Sequence, residues 1–488
     1  MLKKVRTILA AICFIIITLL FLDFTGTIHA WFGWMAKIQF MPAIMALNVG
    51  VIVVLILLTI LFGRVYCSII CPMGVFQDII SWFSCKRKKA KNKFKYTKAN
   101  NLLRYSILVL FVIAIFTNIG SFVALLSPYS SYGRIVSNLF APIYQWGNNL
   151  FALIAERANS YAFYSKEVWL KSLPTFIIAA VTFVAIFILA WKGGRSYCNN
   201  ICPVGSFLGL ISNFSIFKIK INTDKCTGCT LCARNCKASC INPKEHKIDY
   251  SRCVACFDCI GNCNQGAISF TACGKSDRKV DQSRRKALTV AGVILATSAL
   301  KAQEKVDGGL AAIQQKKVPV RKTKIVPAGA QSIKHFEDHC TGCQLCVSVC
   351  PNSVLRPSDS ILSLMQPEMS YERGYCRPEC TKCSEVCPAG AITGITREEK
   401  SSTKIGTAVW ISENCIPLRD GVSCGNCARH CPAGAIKLVP SDPNDKSSLR
   451  VPAVNAERCI GCGTCENLCP ARPFSAIYVE GTEVHRTI

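Results

Sequence analysis

The chain has 488 residues, 51% of them hydrophobic, with 32 cysteines and a formal net charge of +28. Cysteines recurring two or three residues apart in groups of four suit metal centres and exclude a short secreted disulfide scaffold. The charge does not indicate nucleic acid: six four-iron clusters with their thiolates would remove roughly 12 units of it. The densest basic run, residues 86–98, lies between two hydrophobic stretches, as cytoplasmic loops do under the positive-inside rule.

Four stretches are long enough to cross a bilayer, which takes about 20 apolar residues: 6–24, 41–62, 102–126 and 172–191. Lys3, Lys4 and Arg6 precede the first and place the N-terminus inside. No early small-residue cleavage site follows, so the stretch reads as an anchor and not a removable signal. External loops are then expected at 25–40 and 127–171. Trp31, Trp34, Trp146 and Trp169 fall in them and read as an interfacial aromatic belt.

The strongest organisational signal is an internal repeat. GRVYCSIICPMGVFQDIIS begins at Gly63 and GRSYCNNICPVGSFLGLIS at Gly194, a constant offset of 131. Each copy follows the end of a predicted span and delivers two cysteines, Cys67 with Cys71 and Cys198 with Cys202, to the inner face. These four thiols suit a further metal or cluster centre, redox-active thiol chemistry, or a structural role. Residues 1–217 form the expected membrane domain.

Residues 218–273 form a small module with two runs of the bacterial ferredoxin type, C-x2-C-x2-C-x3-C: Cys226, Cys229, Cys232, Cys236 and Cys253, Cys256, Cys259, Cys263. Three thiolates on a tight loop hold one cubane, and the fourth crosses to the other cluster. Cys226, Cys229 and Cys232 are therefore expected to share a cluster with Cys263, and Cys253, Cys256 and Cys259 with Cys236. Lys237 and Asn264 stand where proline is usual.

Residues 274–302 hold a basic and then apolar segment. Arg284 and Arg285 there suggest a twin-arginine export signal used as an internal anchor; the alternative is an ordinary amphipathic helix. A polar linker is expected over 303–331. The last domain, 332–488, has four runs: Cys340, Cys343, Cys346, Cys350; Cys376, Cys380, Cys383, Cys387; Cys415, Cys424, Cys427, Cys431; and Cys459, Cys462, Cys465, Cys469. Nested ligand exchange is expected, first run with last and second with third. Cys13, Cys85, Cys240 and Cys273 stay unassigned, and Cys13 reads as packing within its span. His335, His339 and His430 lie near cysteine runs and read as surface or supporting residues. No C-x-x-C-H occurs, so c-type haem is not indicated.

The first 270 or so residues resemble the NapH/NosR-type membrane ferredoxins, through the four spans, the duplicated C-x3-C-P at Cys67 and Cys198, and the two-cluster module. The stretch from about residue 283 onward resembles the NapG/MauM-type exported ferredoxins. The expected architecture is mixed: a four-helix transmembrane domain plus small α+β ferredoxin modules, one with two clusters and one with four. The resemblance implies a quinol dehydrogenase of the bacterial inner membrane. It would draw on the membrane quinone pool and pass electrons to an exported redox enzyme or carrier. The two-cluster module would be cytoplasmic and the four-cluster domain periplasmic. The segment from Ser127 to Arg134 is the expected external functional loop, a structural turn being the alternative. A different role, electron supply for maturation of a copper or haem enzyme, would favour a Met-rich or His-rich site; 7 Met and 6 His, mostly scattered, give it little support.

Overall fold

The computed structural model describes residues 2–86, 94–160, 163–272 and 316–488. The N-terminal part is helical: α1 (Leu2–Leu22), α2 (Thr27–Phe32), α3 (Trp34–Lys37), α4 (Phe40–Met45), α5 (Val49–Phe62), α6 (Val65–Ile69), α7 (Pro72–Lys86), α8 (Asn101–Phe116), α9 (Gly120–Leu126), α10 (Pro128–Ile135), α11 (Ala141–Arg157), α12 (Leu173–Gly193), α13 (Ser196–Asn200) and α14 (Pro203–Ser212). A π-turn, Val136–Phe140, joins α10 to α11.

Only two helices among the described residues, α1 and α12, are by themselves long and apolar enough to cross a bilayer. Each has 21 residues, about 31 Å at 1.5 Å per residue. The expected second and third spans are interrupted. Leu47, at φ 50°, separates α4 from α5, and Asn118, at φ 56°, separates α8 from α9. Left-handed residues end one helical segment, and Asn48 restarts the next by accepting from Val51 N. Apolar side chains such as Ile8, Val54, Val109, Leu150 and Val181 nevertheless face outward on α1, α5, α8, α11 and α12. Apolar surface of this kind marks a partner or a lipid phase. Trp31, Trp34 and Trp146 are exposed as well, whereas the Trp169 ring carries the Arg373 guanidinium at 4.5 Å.

The expected external loop at Ser127 is also corrected. It is α10, and all eight of its residues are buried. Its Ser, Tyr and Gly content reads as loop, but Pro128 suits the first helical turn. Arg134 is held inside the molecule, Nη1 donating to Ala124 O (2.6 Å) and Nη2 to Leu125 O (3.2 Å) and Ser131 Oγ (3.1 Å).

Both soluble parts are α+β. Phe217–Ile221 pairs antiparallel with Ile268–Ala272 and brackets the two runs of the middle module. In the last domain Thr403–Trp410 pairs antiparallel with Ile477–Thr487 and brackets the third and fourth runs. The short pair Leu355–Pro357 with Pro367–Met369 lies between the first and second. Residues 316–331, expected as linker, are part of this domain. Ile325, Val326 and Ala330 are buried, and Arg321 Nε donates to Val479 O at 2.8 Å. Residues 273–315 lie outside the described residues, with Cys273 and the predicted segment 283–300.

The two soluble parts occupy opposite ends of the helices. Lys3 at the start of α1 pairs with Asp258 of the middle module at 3.1 Å. Just beyond its far end Thr25 O accepts from Lys382 Nζ of the last domain at 2.9 Å. The N-cap of α12, Ser172, donates to Asp359 Oδ1 at 2.6 Å. Past its C-cap, Arg195 N donates to Lys237 O at 2.9 Å.

Candidate electron-transfer sites

The repeat builds a buried four-thiol centre between the two ends. Cys67 lies in α6 and Cys198 in α13, while Cys71 and Cys202 immediately precede α7 and α14. All four are 4% exposed and close enough to interact electrostatically. The C-P-x-G motif explains the local geometry. Cys202 caps α14, accepting from Gly205 N at 3.3 Å. Pro at the first helical position has no N–H to leave unpaired. Glycine is required at 74 and 205 by close approach: a Cβ there would lie 2.2 Å from Cys67 O and 2.3 Å from Cys198 O, respectively.

Cations surround this centre. Arg64 Nη2 lies 4.0 Å from Cys67 Sγ, and Gln77 Nε2 donates to Cys198 Sγ at 3.1 Å. Arg195 forks onto Asp78, with Nε to Oδ1 and Nη2 to Oδ2 both at 2.8 Å. Arg6 also pairs with Asp78. Lys237 lies 3.8 Å from Asp78 and 3.2 Å from Asp258. The departure from proline at 237 thus supplies a cation that ties the middle module to the repeat.

The middle module groups its thiols across the two runs. Cys226, Cys229, Cys232 and Cys263 line a cavity of about 120 Å³. Cys259 feels Cys256, Cys253 and Cys236 more strongly than Cys232 of the first group. Cys240, which motif spacing does not single out, is 1% exposed, and its Sγ is 3.6 Å from that of Cys236. Only the fold brings this extra thiol to the second group.

The last domain contradicts nested exchange. Cys340, Cys343 and Cys346 line a cavity with Cys387, and Cys376, Cys380 and Cys383 line one with Cys350. Cys459, Cys462 and Cys465 line a cavity with Cys431, and Cys415, Cys424 and Cys427 gather beside Cys469. Exchange therefore runs first with second and third with fourth. The reason is topological: the long pair from Thr403 to Trp410 and Ile477 to Thr487 encloses the last two runs as one unit. The two units interlock through Cys376 N donating to Cys462 O at 2.9 Å and Tyr371 Oη to Gly461 O at 2.7 Å.

These sites fit iron–sulfur clusters. Four thiols line each of four cavities, one from the partner run of its pair in every case. Burial pushes the Cys343 thiol up to about 12, a cost that bound iron would remove by taking the thiolate as ligand. Lys400 Nζ donates to Cys376 Sγ at 3.0 Å; burial would lower its pKa, but the Cys376 thiolate holds it above the ordinary lysine value. His335, His339 and His430 bond backbone carbonyls through Nδ1 at 2.9, 2.9 and 3.0 Å.

The α10 helix connects the repeat centre to the last domain. A Cβ at Gly133 would lie 2.5 Å from Cys343 O, so glycine lets that ligand loop seat directly on the helix. Asn138 donates to Gln344 Oε1 at 2.9 Å. Arg134 stands between Tyr197, which borders the four-thiol centre, and Cys343.

The sequence matches the family described as 4Fe-4S binding domain twice, over residues 44–91 and 174–222, one match on each repeat. A second family of that description matches 333–356, and a 4Fe-4S dicluster domain matches 421–472. The methylamine utilization ferredoxin-type protein MauM of Methylobacillus flagellatus is 31% identical over 166 residues, 33% of this chain and 70% of MauM. The ferredoxin-type protein NapG of Escherichia coli is 32% identical over 177 residues, 33% of this chain and 75% of NapG. The chain belongs to the NapG/MauM ferredoxin-type family. To this NapG-like part it joins a NapH-like one: the ferredoxin-type protein NapH of Haemophilus influenzae is 26% identical over 189 residues, 38% of this chain and 52% of NapH. This NapH/NapG-type fusion is an iron–sulfur electron-transfer protein.

Proposed function

We propose that the chain is an inner-membrane quinol dehydrogenase that carries electrons along a line of iron–sulfur centres to an exported redox protein. The observation that carries this reading is the position of the four thiols of the repeat, buried between a two-run module at one end of α1 and α12 and a four-run domain at the other. The 24 cysteines of the six runs hold six [4Fe-4S] clusters, with the fourth ligand of each run exchanged within the pairs described above. Cys67, Cys71, Cys198 and Cys202 hold a seventh centre. Bound clusters supply one-electron redox chemistry at low reorganisation.

The protein's own residues position and tune. Arg64, which has no carboxylate partner among its hydrogen bonds, offsets negative charge of the four thiolates in a buried volume, and Gln77 donates to Cys198 Sγ. Crossed fourth ligands keep the members of each pair close, and the Cys376–Cys462 backbone contact keeps the two pairs of the last domain close. The α4–α5 and α8–α9 segments complete a four-crossing domain around the repeat, with the middle module cytoplasmic and the last domain periplasmic. The test is reduction of the clusters by a quinol analogue in proteoliposomes, read by bleaching of iron–sulfur absorbance. Clusters that dithionite reduces but no quinol does would rule the quinol reading out.

A further inference from the structure

One buried titratable pair has no part in the thiol sites. His29, on α2, places Nδ1 3.1 Å from Asp23 Oδ2, and their side chains are 5% and 2% exposed. Asp23 Oδ1 accepts from Thr25 N, Thr25 Oγ1 and Gly26 N at 3.0, 2.7 and 2.8 Å. Oδ2 accepts from Ile28 N and His29 N at 2.8 and 3.2 Å. So many donors favour the ionised carboxylate. A carboxylate on Nδ1 fixes the tautomer, with the proton on Nδ1 and the lone pair on Nε2. Nε2 is buried and has no hydrogen-bond partner. A buried polar atom in this condition calls for an explanation, and an absent ligand is one.

The surroundings say which ligand. The pair lies at the end of α1 that meets the last domain. A Cβ at Gly26 would lie 3.5 Å from Lys382 Nζ and 3.9 Å from Val349 Cγ2. Lys382 precedes Cys383 and Val349 precedes Cys350, two thiols of one site. Lys166 Nζ lies 4.7 Å from the centroid of the Phe24 ring beside it. On the outward side Trp31 and Trp34 are 80% and 56% exposed, as aromatic residues at a lipid boundary are. A proton acceptor between a lipid boundary and an electron acceptor matches a donor that loses both particles.

We propose that His29, oriented by Asp23, accepts the proton in quinol oxidation; this rests on the quinol dehydrogenase reading above. A quinol hydroxyl donates to Nε2, its O–H bond breaks, and the proton passes to the imidazole. The two electrons would leave singly to the cluster that Cys350, Cys376, Cys380 and Cys383 of the adjacent domain would hold, whose ferric iron is the oxidant. His29 releases its proton to external water and takes the second, and the product is the quinone.

The experiment uses the full chain in liposomes with tetramethyl-para-benzoquinol as reductant and dithionite as control. His29→Gln is expected to slow quinol-driven bleaching by about 100-fold, the scale of general-base catalysis, with dithionite-reducible iron unchanged. Asp23→Asn, which keeps the imidazole, slows it less. Quenching of tryptophan fluorescence by the corresponding quinone gives a second readout, weakened in His29→Gln. Wild-type bleaching by quinol in His29→Gln would overturn the inference and leave the quinol reading intact. Loss of dithionite-reducible iron in both variants would mark a structural role and overturn it too. Failure of every quinol on the wild-type chain would remove the quinol reading and this inference together.

Discussion

Arg64 and Arg195 stand at matching positions of the two repeats, and each donates into the other repeat: Arg64 Nη2 to Cys198 O at 3.1 Å, and Arg195 Nη1 to Cys67 O at 2.6 Å. The exchange makes the four-thiol centre a joint product of both halves. The symmetry stops one shell out. Arg195 is neutralised by Asp78, but the matching position is Gly209, and Arg64 donates instead to the neutral Asn199 Oδ1 and Ser251 O at 2.9 and 3.1 Å.

Asp78→Asn should therefore be strongly destabilising. It leaves Arg6, Arg195 and Lys237 facing a neutral amide in a buried site. Breaking a buried pair by removing one partner costs about 3–5 kcal/mol. Thermal unfolding in detergent would read this as a large fall in midpoint, and an unchanged midpoint would contradict the network.

Cys387→Ser should damage the cluster held by Cys340, Cys343 and Cys346, and not the one on its own run. EPR and Mössbauer spectra of Cys387→Ser and Cys343→Ser should show the same centre altered, and the double variant should be no worse than either single one. Cys469→Ser combined with Cys343→Ser should instead lose two centres. Additivity between Cys387 and Cys343 would refute the grouping.

Lys400→Met should make one centre harder to reduce. The variant removes a charge-assisted hydrogen bond to Cys376 Sγ, worth about 1.5 kcal/mol or more. For a one-electron couple that is a fall on the order of 60 mV. A redox titration followed by EPR would show one wave displaced and the others in place.

His485 should tie the stability of the last domain to pH. Burial lowers its pKa from the ordinary 6.5 to about 4, and neither ring nitrogen has a partner. On acidification the unfolded chain takes up this proton first, so the contribution is complete above pH 6.5 and is lost as pH falls towards 4. In denaturant titrations across that window, His485→Gln should flatten the slope. A slope equal to that of the wild type would exclude the assignment.

Local spacing made most of the chemistry legible. Tight loops put Cys226, Cys229 and Cys232 together, and the constant offset exposed Cys67/Cys71 and Cys198/Cys202 as a matched set. What spacing does not encode is which loops meet. Sequential exchange in the last domain depends on strand pairing between Thr403–Trp410 and Ile477–Thr487, 67 residues apart at their nearest ends, and nothing in the runs themselves reports it. Hydropathy windows likewise average over Leu47 and Asn118, so interrupted helices read as continuous. In α10 the Arg134 guanidinium is buried with Nη1 and Nη2 donating to the Ala124 and Leu125 carbonyls, packing that hydropathy does not report. Cys240 and His29 carry no motif, and only their packing distinguishes them.

The docking of one soluble part at each end of α1 and α12 has an electrical consequence. An electron handed from the middle module to the last domain travels the length of a helix of about 31 Å, comparable with the hydrocarbon thickness of a bilayer. With the two soluble parts on opposite sides of a bilayer, as proposed, such a transfer would displace charge through the membrane field, at about 2.3 kcal/mol per elementary charge for each 100 mV crossed. In the membrane arrangement proposed above, the membrane potential would set part of the driving force, with opposite sign for the two directions of flow.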